Sequence, residues 1–78
     1  MECVEIERIL KESRERGDPQ QLTGPLSVLA AFQCRGFTEV INERSRLIRS
    51  CEDAIWRMRS MSVEPHQDII RLIEHMRM

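Results

Sequence analysis

Hydrophobic and polar side chains recur along this chain mostly with a helical period, and no stretch shows the two-residue alternation of a β-strand. In residues 2–16, apolar or small side chains recur every three or four positions, while acidic and basic side chains lie four apart beside them. Gly17 ends this first predicted helix. A second helix is predicted over 25–34. Before it, residues 18–21 are typical of a capping box, in which Asp18 caps a helical segment of at most one turn.

The longest amphipathic pattern covers residues 37–61 and predicts one continuous helix. With Ile41 at the first heptad position, ten of the eleven positions of one stripe are apolar, and Arg44 is the exception. The stripe consists of Phe37, Val40, Ile41, Arg44, Leu47, Ile48, Cys51, Ala54, Ile55, Met58 and Met61. A stripe three-sevenths wide is typical of a helix that packs between two neighbours.

A last helix is predicted near the end of the chain. Ser62 is its expected cap, with Pro65 inside its first turn, and the short break predicts an antiparallel pairing with the long helix. Its apolar face consists of Ile69, Ile70, Leu72, Ile73 and Met76. The fold class expected is all-α: a single domain over 1–78, built as a three- to four-helix bundle with one long central helix.

The length of the predicted central helix favours self-association. Twenty-five residues make a helix about 37 Å long, whereas a compact domain of this size is roughly 30 Å across. The other helices would leave part of the stripe uncovered. We therefore expect a homodimer, since two-fold dimers are the commonest oligomers, with Phe37, Ile41, Ile48 and Ile55 facing the second copy.

Composition and charge exclude some classes of partner. The chain has 12 Lys and Arg against 13 Asp and Glu, 32% charged and 41% hydrophobic residues, and a net charge of -1. This balance is typical of a folded soluble protein and excludes a generally basic nucleic-acid coat and a polyanionic mimic. The most apolar stretch, 25–34, is half the length of a membrane-spanning helix, so no span is expected.

The cysteines bear on the compartment. Cys3, Cys34 and Cys51 are separated by 31 and 17 positions, an odd set without a C-x-x-C pair. We expect all three to be reduced thiols. The acidic start of the chain also lacks the pattern of a secretory signal, so an intracellular, cytoplasmic location is expected.

The candidate partner-binding residues lie on the predicted long helix. Trp56 falls on its polar side beside arginines, a combination enriched at binding hot spots; alternatively, it packs under the first or last helix. Arg44 either selects the register or the partner by pairing with a carboxylate across an interface, or lays its stem along the edge of the core while its head reaches water. The methionines are either adaptable contacts or plain core. The full set is Arg44, Arg49, Trp56, Met58, Arg59 and Met61.

These features predict a small intracellular protein–protein interaction module: an adaptor, a regulator or a stoichiometric inhibitor that acts through a helical face. We expect no enzyme, cofactor or metal, because the sequence has no nucleophile motif, phosphate-binding glycine loop or metal-type spacing of Cys and His. One alternative is that the chain is the excised oligomerisation domain of a larger protein.

A second alternative is a DNA-binding regulator. Ala30 and Ala31 before Gly36, with Phe37 after it, resemble a helix-turn-helix over about 20 residues. Such a regulator would use Arg35, Arg44, Arg46 and Arg49 to contact phosphates. The next helix departs from the motif, because Asn42 and Ser45 are polar where apolar residues are usual and the predicted helix is about twice too long. Nucleic acid is therefore not the partner we expect.

Overall fold

A computed structural model describes residues 1–39 and 42–77, and within these residues all regular secondary structure is helical. The helices are α1 (Cys3–Arg16), α2 (Gln20–Cys34), α3 (Glu43–Ser60) and α4 (Gln67–Met76). The radius of gyration is 11.8 Å, and the principal extents are 35 × 25 × 19 Å. The predicted all-α class is confirmed. None of the helices in these residues is long and apolar enough to cross a lipid bilayer.

The first helix follows the prediction closely. It buries Ile6, Ile9, Leu10 and Ser13 and ends at Gly17, whose φ of 77° is the left-handed conformation that glycine adopts without a steric penalty. The sequence suggested Asp18 as the cap of the next helix, but Asp18 does not cap it. Its carboxylate instead accepts hydrogen bonds from the Ser13 hydroxyl at 2.5 Å and from the Arg16 guanidinium at 3.0 Å.

The second helix starts five residues earlier than predicted. Residue 20 is its first residue, Pro19 occupies the cap position without a side-chain hydrogen bond, and Pro25 lies inside the helix. The prediction was wrong because it took Pro25 as a helix start. Leu22 and Leu26 lie one turn apart and are both fully buried, so packing of these side chains extends the helix back through the glycine and proline.

The third helix is shorter than predicted. It begins at Glu43 rather than 37, because Asn42 has a φ of 70° that is incompatible with a continuing helix. Phe37 lies outside the helix and is 59% exposed, while Ile41 falls outside the described residues. Eighteen residues make a helix about 27 Å long, which fits within the longest extent of 35 Å. The length argument for a second copy therefore no longer applies.

The fourth helix has a different cap from the one predicted. Ser62 lies in the connection with a φ of 61°, Pro65 precedes the helix and is buried, and His66 is the cap residue. The Asp68 backbone N–H donates to Nδ1 of His66 at 3.1 Å. Arg44 at the start of α3 contacts Met76 at the end of α4, so the predicted antiparallel pairing of these two helices is confirmed.

One hydrophobic core receives side chains from all four helices. Of the five residues predicted for the inner face of α4, Ile69, Leu72, Ile73 and Met76 are buried, whereas Ile70 is only half-buried. From α3, the fully or nearly fully buried side chains are Cys51, Ala54 and Met58. Leu47, Ile48 and Ile55 pack against this core and are only half-buried.

Two of the three cysteines are bonded, contrary to expectation. Cys3 and Cys34 form a disulfide with a Cα–Cα distance of 5.7 Å. Helices α1 and α2 are nearly equal in length and joined by three residues, so the end of α2 returns to the start of α1. The prediction of three reduced thiols was wrong because it relied on the odd number of cysteines and did not consider that the end of α2 lies beside the start of α1. Cys51 is free and buried, and desolvation raises the pKa of its thiol to about 11.

Candidate functional site

Trp56 stands on the surface of α3. Its side chain is 71% exposed, so it does not pack beneath α1 or α4. Burial of an aromatic side chain removes 150–250 Å² of surface from water, and folding of the single chain leaves most of that surface hydrated. A large exposed side chain of this kind is a usual anchor of a protein interface.

Beside Trp56 runs an open groove of about 330 Å³ between α3 and α4. Its lining consists of Glu52, Ile55, Trp56, Arg59, Ile70, Ile73, Glu74 and Arg77, and we call it the α3–α4 groove. Its apolar lining comes from Trp56 and from the half-buried Ile55 and Ile70, while Ile73 is almost fully buried. Four charged side chains complete the lining, and such a mixture of apolar and charged side chains occurs at protein interfaces.

Helical periodicity explains why these side chains meet. The α3 residues of the lining are spaced three, four and seven positions apart, which places them on one helix face. Ile70, Ile73 and Glu74 of α4, together with Arg77 just after its end, have the same spacing. The core takes Ile69, Leu72, Ile73 and Met76 from α4, whereas the adjacent Ile70 is half-buried and lines the groove.

Ion pairs lie at both ends of the groove. Arg77, the residue after α4, pairs with Glu52 of α3, and Arg59 pairs with Glu64 of the connection through an Nη2–Oε1 contact of 2.9 Å. All four side chains are substantially exposed, so each pair contributes little to stability. Their effect is to place charges of both signs around the apolar lining.

Arg44 lies away from the groove. Its Nε donates to Oε1 of Glu39 at 2.7 Å, and its Nη1 donates to the backbone carbonyl of Met76 at 3.1 Å. A guanidinium at the carboxyl end of a helix satisfies an unpaired carbonyl and interacts favourably with the helix dipole. The side chain is 32% exposed, so it is held mainly by contacts within the chain.

The other candidate residues divide between two surfaces. Arg59 lines the α3–α4 groove, and Arg49 is exposed one turn before Glu52 on the same face of α3. Met58 is largely buried, whereas Met61 is exposed. Both methionines line a smaller groove of about 210 Å³ between α2 and α3, together with Pro19, Gln21, Ala54 and Arg57.

The half of the groove contributed by α4 was not among the sequence candidates. Ile70 and Ile73 were assigned to the core face, and Glu74 and Arg77 were not singled out. The signal present in the sequence is that Ile69 and Ile70 are adjacent and cannot both point into the core. The sequence alone does not state which neighbour Ile70 would face.

The described residues offer little for other chemistry. They contain no group of three or more His, Cys, Asp or Glu side chains arranged to hold a metal ion, and the Cys51 thiol is buried and protonated at neutral pH. Eight residues, 35–42, separate α2 from α3, whereas a helix-turn-helix uses a turn of three or four.

Comparisons with protein-family models, with curated proteins and with solved structures find no match to this chain. No relative therefore suggests an activity or a ligand. The shape, exposure and charges of the α3–α4 groove are the basis on which a function can be inferred.

Proposed function

We propose that this chain is a small protein–protein interaction module that binds its partner through the α3–α4 groove. The observation that carries the proposal is the exposure of Trp56, 71%, at the edge of an apolar groove. Covering the exposed part of this side chain contributes about 3–4 kcal/mol at 25 cal/mol per Å². That contribution is large compared with the energy of an ordinary interface contact.

The mechanism is stoichiometric masking or bridging, as in an adaptor, a regulator or an inhibitor. An apolar segment of the partner covers Trp56 and the isoleucines, while the surrounding charges fix its orientation. No step of this mechanism changes a covalent bond, so the proposed role is not enzymatic. A function as the oligomerisation part of a longer protein would use the same surface.

The test compares two exposed apolar side chains on different helices. Trp56→Ala and Val4→Ala each remove one, and Val4 on α1 is 80% exposed and outside the groove. Proteins captured from an extract of the source cells are quantified for each variant and for the wild type. We expect capture to be lost with Trp56→Ala and retained with Val4→Ala. Equal capture by both variants would contradict the proposal.

We do not extend the proposal to DNA. Three of the four arginines that would contact phosphates are paired within the chain: Arg35 with Glu7, Arg44 with Glu39 and Arg46 with Glu43. Phosphate binding would first have to break these pairs. A DNA-binding chain would show an affinity that falls steeply with salt, and we expect no salt-sensitive DNA binding in a gel-shift titration.

An intracellular location remains part of the proposal, without the support of the cysteines. Disulfides persist in oxidising compartments and are rare in the cytosol, and Cys3 and Cys34 are bonded. Alkylation of freshly lysed cells under denaturing conditions, followed by mass spectrometry, tests the location. A cytosolic pool predicts alkylated Cys3 and Cys34, whereas two blocked cysteines would indicate an oxidising compartment.

A further inference from the structure

We infer that the α3–α4 groove is occupied by the same groove of a second copy of this chain, in a two-fold symmetric dimer. The inference rests on the proposed function and names its partner. It replaces the dimer surface expected from the sequence, because Phe37 lies outside α3 and Ile48 does not line the groove.

The first argument is shape. A two-fold interface places the same surface patch on both sides, so the patch must be complementary to itself. Trp56 projects from this face beside an open recess of about 330 Å³, which is larger than an indole ring and is lined in part by Ile55 and Ile70. Two copies related by a two-fold axis near Trp56 would each insert their indole into the recess of the other. One contact would then bury two tryptophans and cover both sets of isoleucines.

The second argument is charge. The groove is surrounded by two acidic side chains, Glu52 and Glu74, and two basic ones, Arg59 and Arg77. A rim of one sign would repel its own copy. Here Glu52 pairs with Arg77 and Arg59 pairs with Glu64 within the chain, so the rim is close to neutral and a second copy meets no strong repulsion. The same balance gives little attraction for a partner of strongly acidic or basic character. The charges therefore favour a second copy over such a partner.

The test measures mass and tryptophan environment on the same samples. Sedimentation equilibrium gives the mass over a series from micromolar to millimolar concentration, and fluorescence reports on Trp56, the one tryptophan of a chain without tyrosine. We expect the mass to rise from 9.2 kDa to twice that value. The emission maximum of Trp56 should shift to shorter wavelength over the same concentration range, because the indole leaves water.

Variants locate the contact. Trp56→Ala should raise the dissociation constant of the dimer about 30-fold or more, the fold-change that corresponds to a hot-spot loss of 2 kcal/mol. Arg59→Glu makes the rim acidic and should also weaken the dimer, with partial recovery at high salt. Arg57→Glu is the matched control, because Arg57 is exposed on the same helix but lies in the smaller groove between α2 and α3. It should leave the dissociation constant unchanged.

Two results would overturn the inference. A mass of 9.2 kDa at every concentration excludes the dimer, and a doubled mass without an emission shift places the contact on another face. Neither result bears on the capture experiment with Trp56→Ala, which tests the proposed function separately. Loss of capture together with a monomeric mass would mean that the groove binds a foreign protein.

Discussion

Arg44 illustrates how one residue acquires its role from tertiary contacts. Periodicity places it in an apolar stripe, where an unpaired guanidinium would be costly to desolvate. Its head instead reaches the last turn of α4 and the carboxylate of Glu39. The charge therefore joins the beginning of α3 to the end of α4, which explains why a basic residue is tolerated at this position.

Removal of this side chain should lower the stability of the fold. We expect Arg44→Ala to reduce the free energy of unfolding by about 1–2 kcal/mol, because it leaves the Met76 carbonyl without its charged donor. Arg49→Ala is the control, since Arg49 is exposed and makes no ion pair with the described residues. It should change the free energy by less than about 0.5 kcal/mol. Urea denaturation of both variants checks this, and equal losses would contradict the assigned role.

The buried thiol of Cys51 makes the stability of the fold pH-dependent in alkali. Burial raises its pKa from 9.0 to about 11, so the folded chain holds this proton where the unfolded chain releases it. The contribution to stability is complete below pH 9 and is lost as the pH rises through 11, a loss of about 2–3 kcal/mol. Lys11 is the one lysine and there is no tyrosine, so few other side chains titrate in this range.

Urea denaturation between pH 9 and pH 11 measures this loss, with Cys51→Ala as the control. The variant starts from a lower stability because it leaves a small cavity. Its free energy of unfolding should fall much less over this pH range than that of the wild type. Parallel curves for the two proteins would show that Cys51 is not the group responsible.

At the scale of the elements, periodicity predicts the faces of helices better than their ends. The inner faces of α1 and α4 follow from spacing alone, because burial repeats every three or four residues. The start of α3 does not, since the left-handed conformation of Asn42 interrupts a pattern that continues through it. The sequence singled out Trp56 and Arg59 on one helix, whereas the groove beside them depends on the tertiary pairing of α3 with α4.

The glycines of this chain provide a test of local backbone conformation. Gly17 ends α1 with a φ of 77°, in the left-handed region that penalises a Cβ atom. We expect Gly17→Ala to destabilise the fold by about 1 kcal/mol. Gly24 lies inside α2 but immediately precedes Pro25, whose ring hinders the helical conformation of a preceding residue that carries a Cβ atom. This hindrance offsets the helix propensity gained in Gly24→Ala, so we expect that variant to stay within about 0.5 kcal/mol of the wild type. Thermal unfolding of the two variants checks both values, and a wild-type stability of Gly17→Ala would contradict the left-handed end of α1.

At the scale of the whole molecule, a chain of 78 residues has a small core and benefits from an additional constraint. The disulfide between Cys3 and Cys34 supplies one, because it ties the start of α1 to the end of α2. Leu47, Ile48 and Ile55 of α3 remain half-buried at the edge of the core. The disulfide therefore constrains α1 and α2, while three apolar side chains of α3 stay partly exposed and one of them, Ile55, lines the α3–α4 groove.

The disulfide should account for a large part of the stability. Residues 31 positions apart are joined, and loop-closure entropy for a loop of this size corresponds to about 3–4 kcal/mol. We expect the Cys3→Ser, Cys34→Ser double variant to lose that amount in chemical denaturation. A reducing agent should destabilise the wild type to a similar extent and leave the double variant unchanged. A difference below about 1 kcal/mol would contradict this role.

The central claim is that Trp56 stands in water beside the α3–α4 groove in the single chain. Acrylamide quenching of its fluorescence, at a concentration where sedimentation gives a mass of 9.2 kDa, tests this claim most directly. The exposure of 71% predicts emission close to that of a hydrated indole and efficient quenching. A short-wavelength emission with weak quenching at the same mass would mean that Trp56 packs against the rest of the chain, and the proposed interaction surface would be wrong.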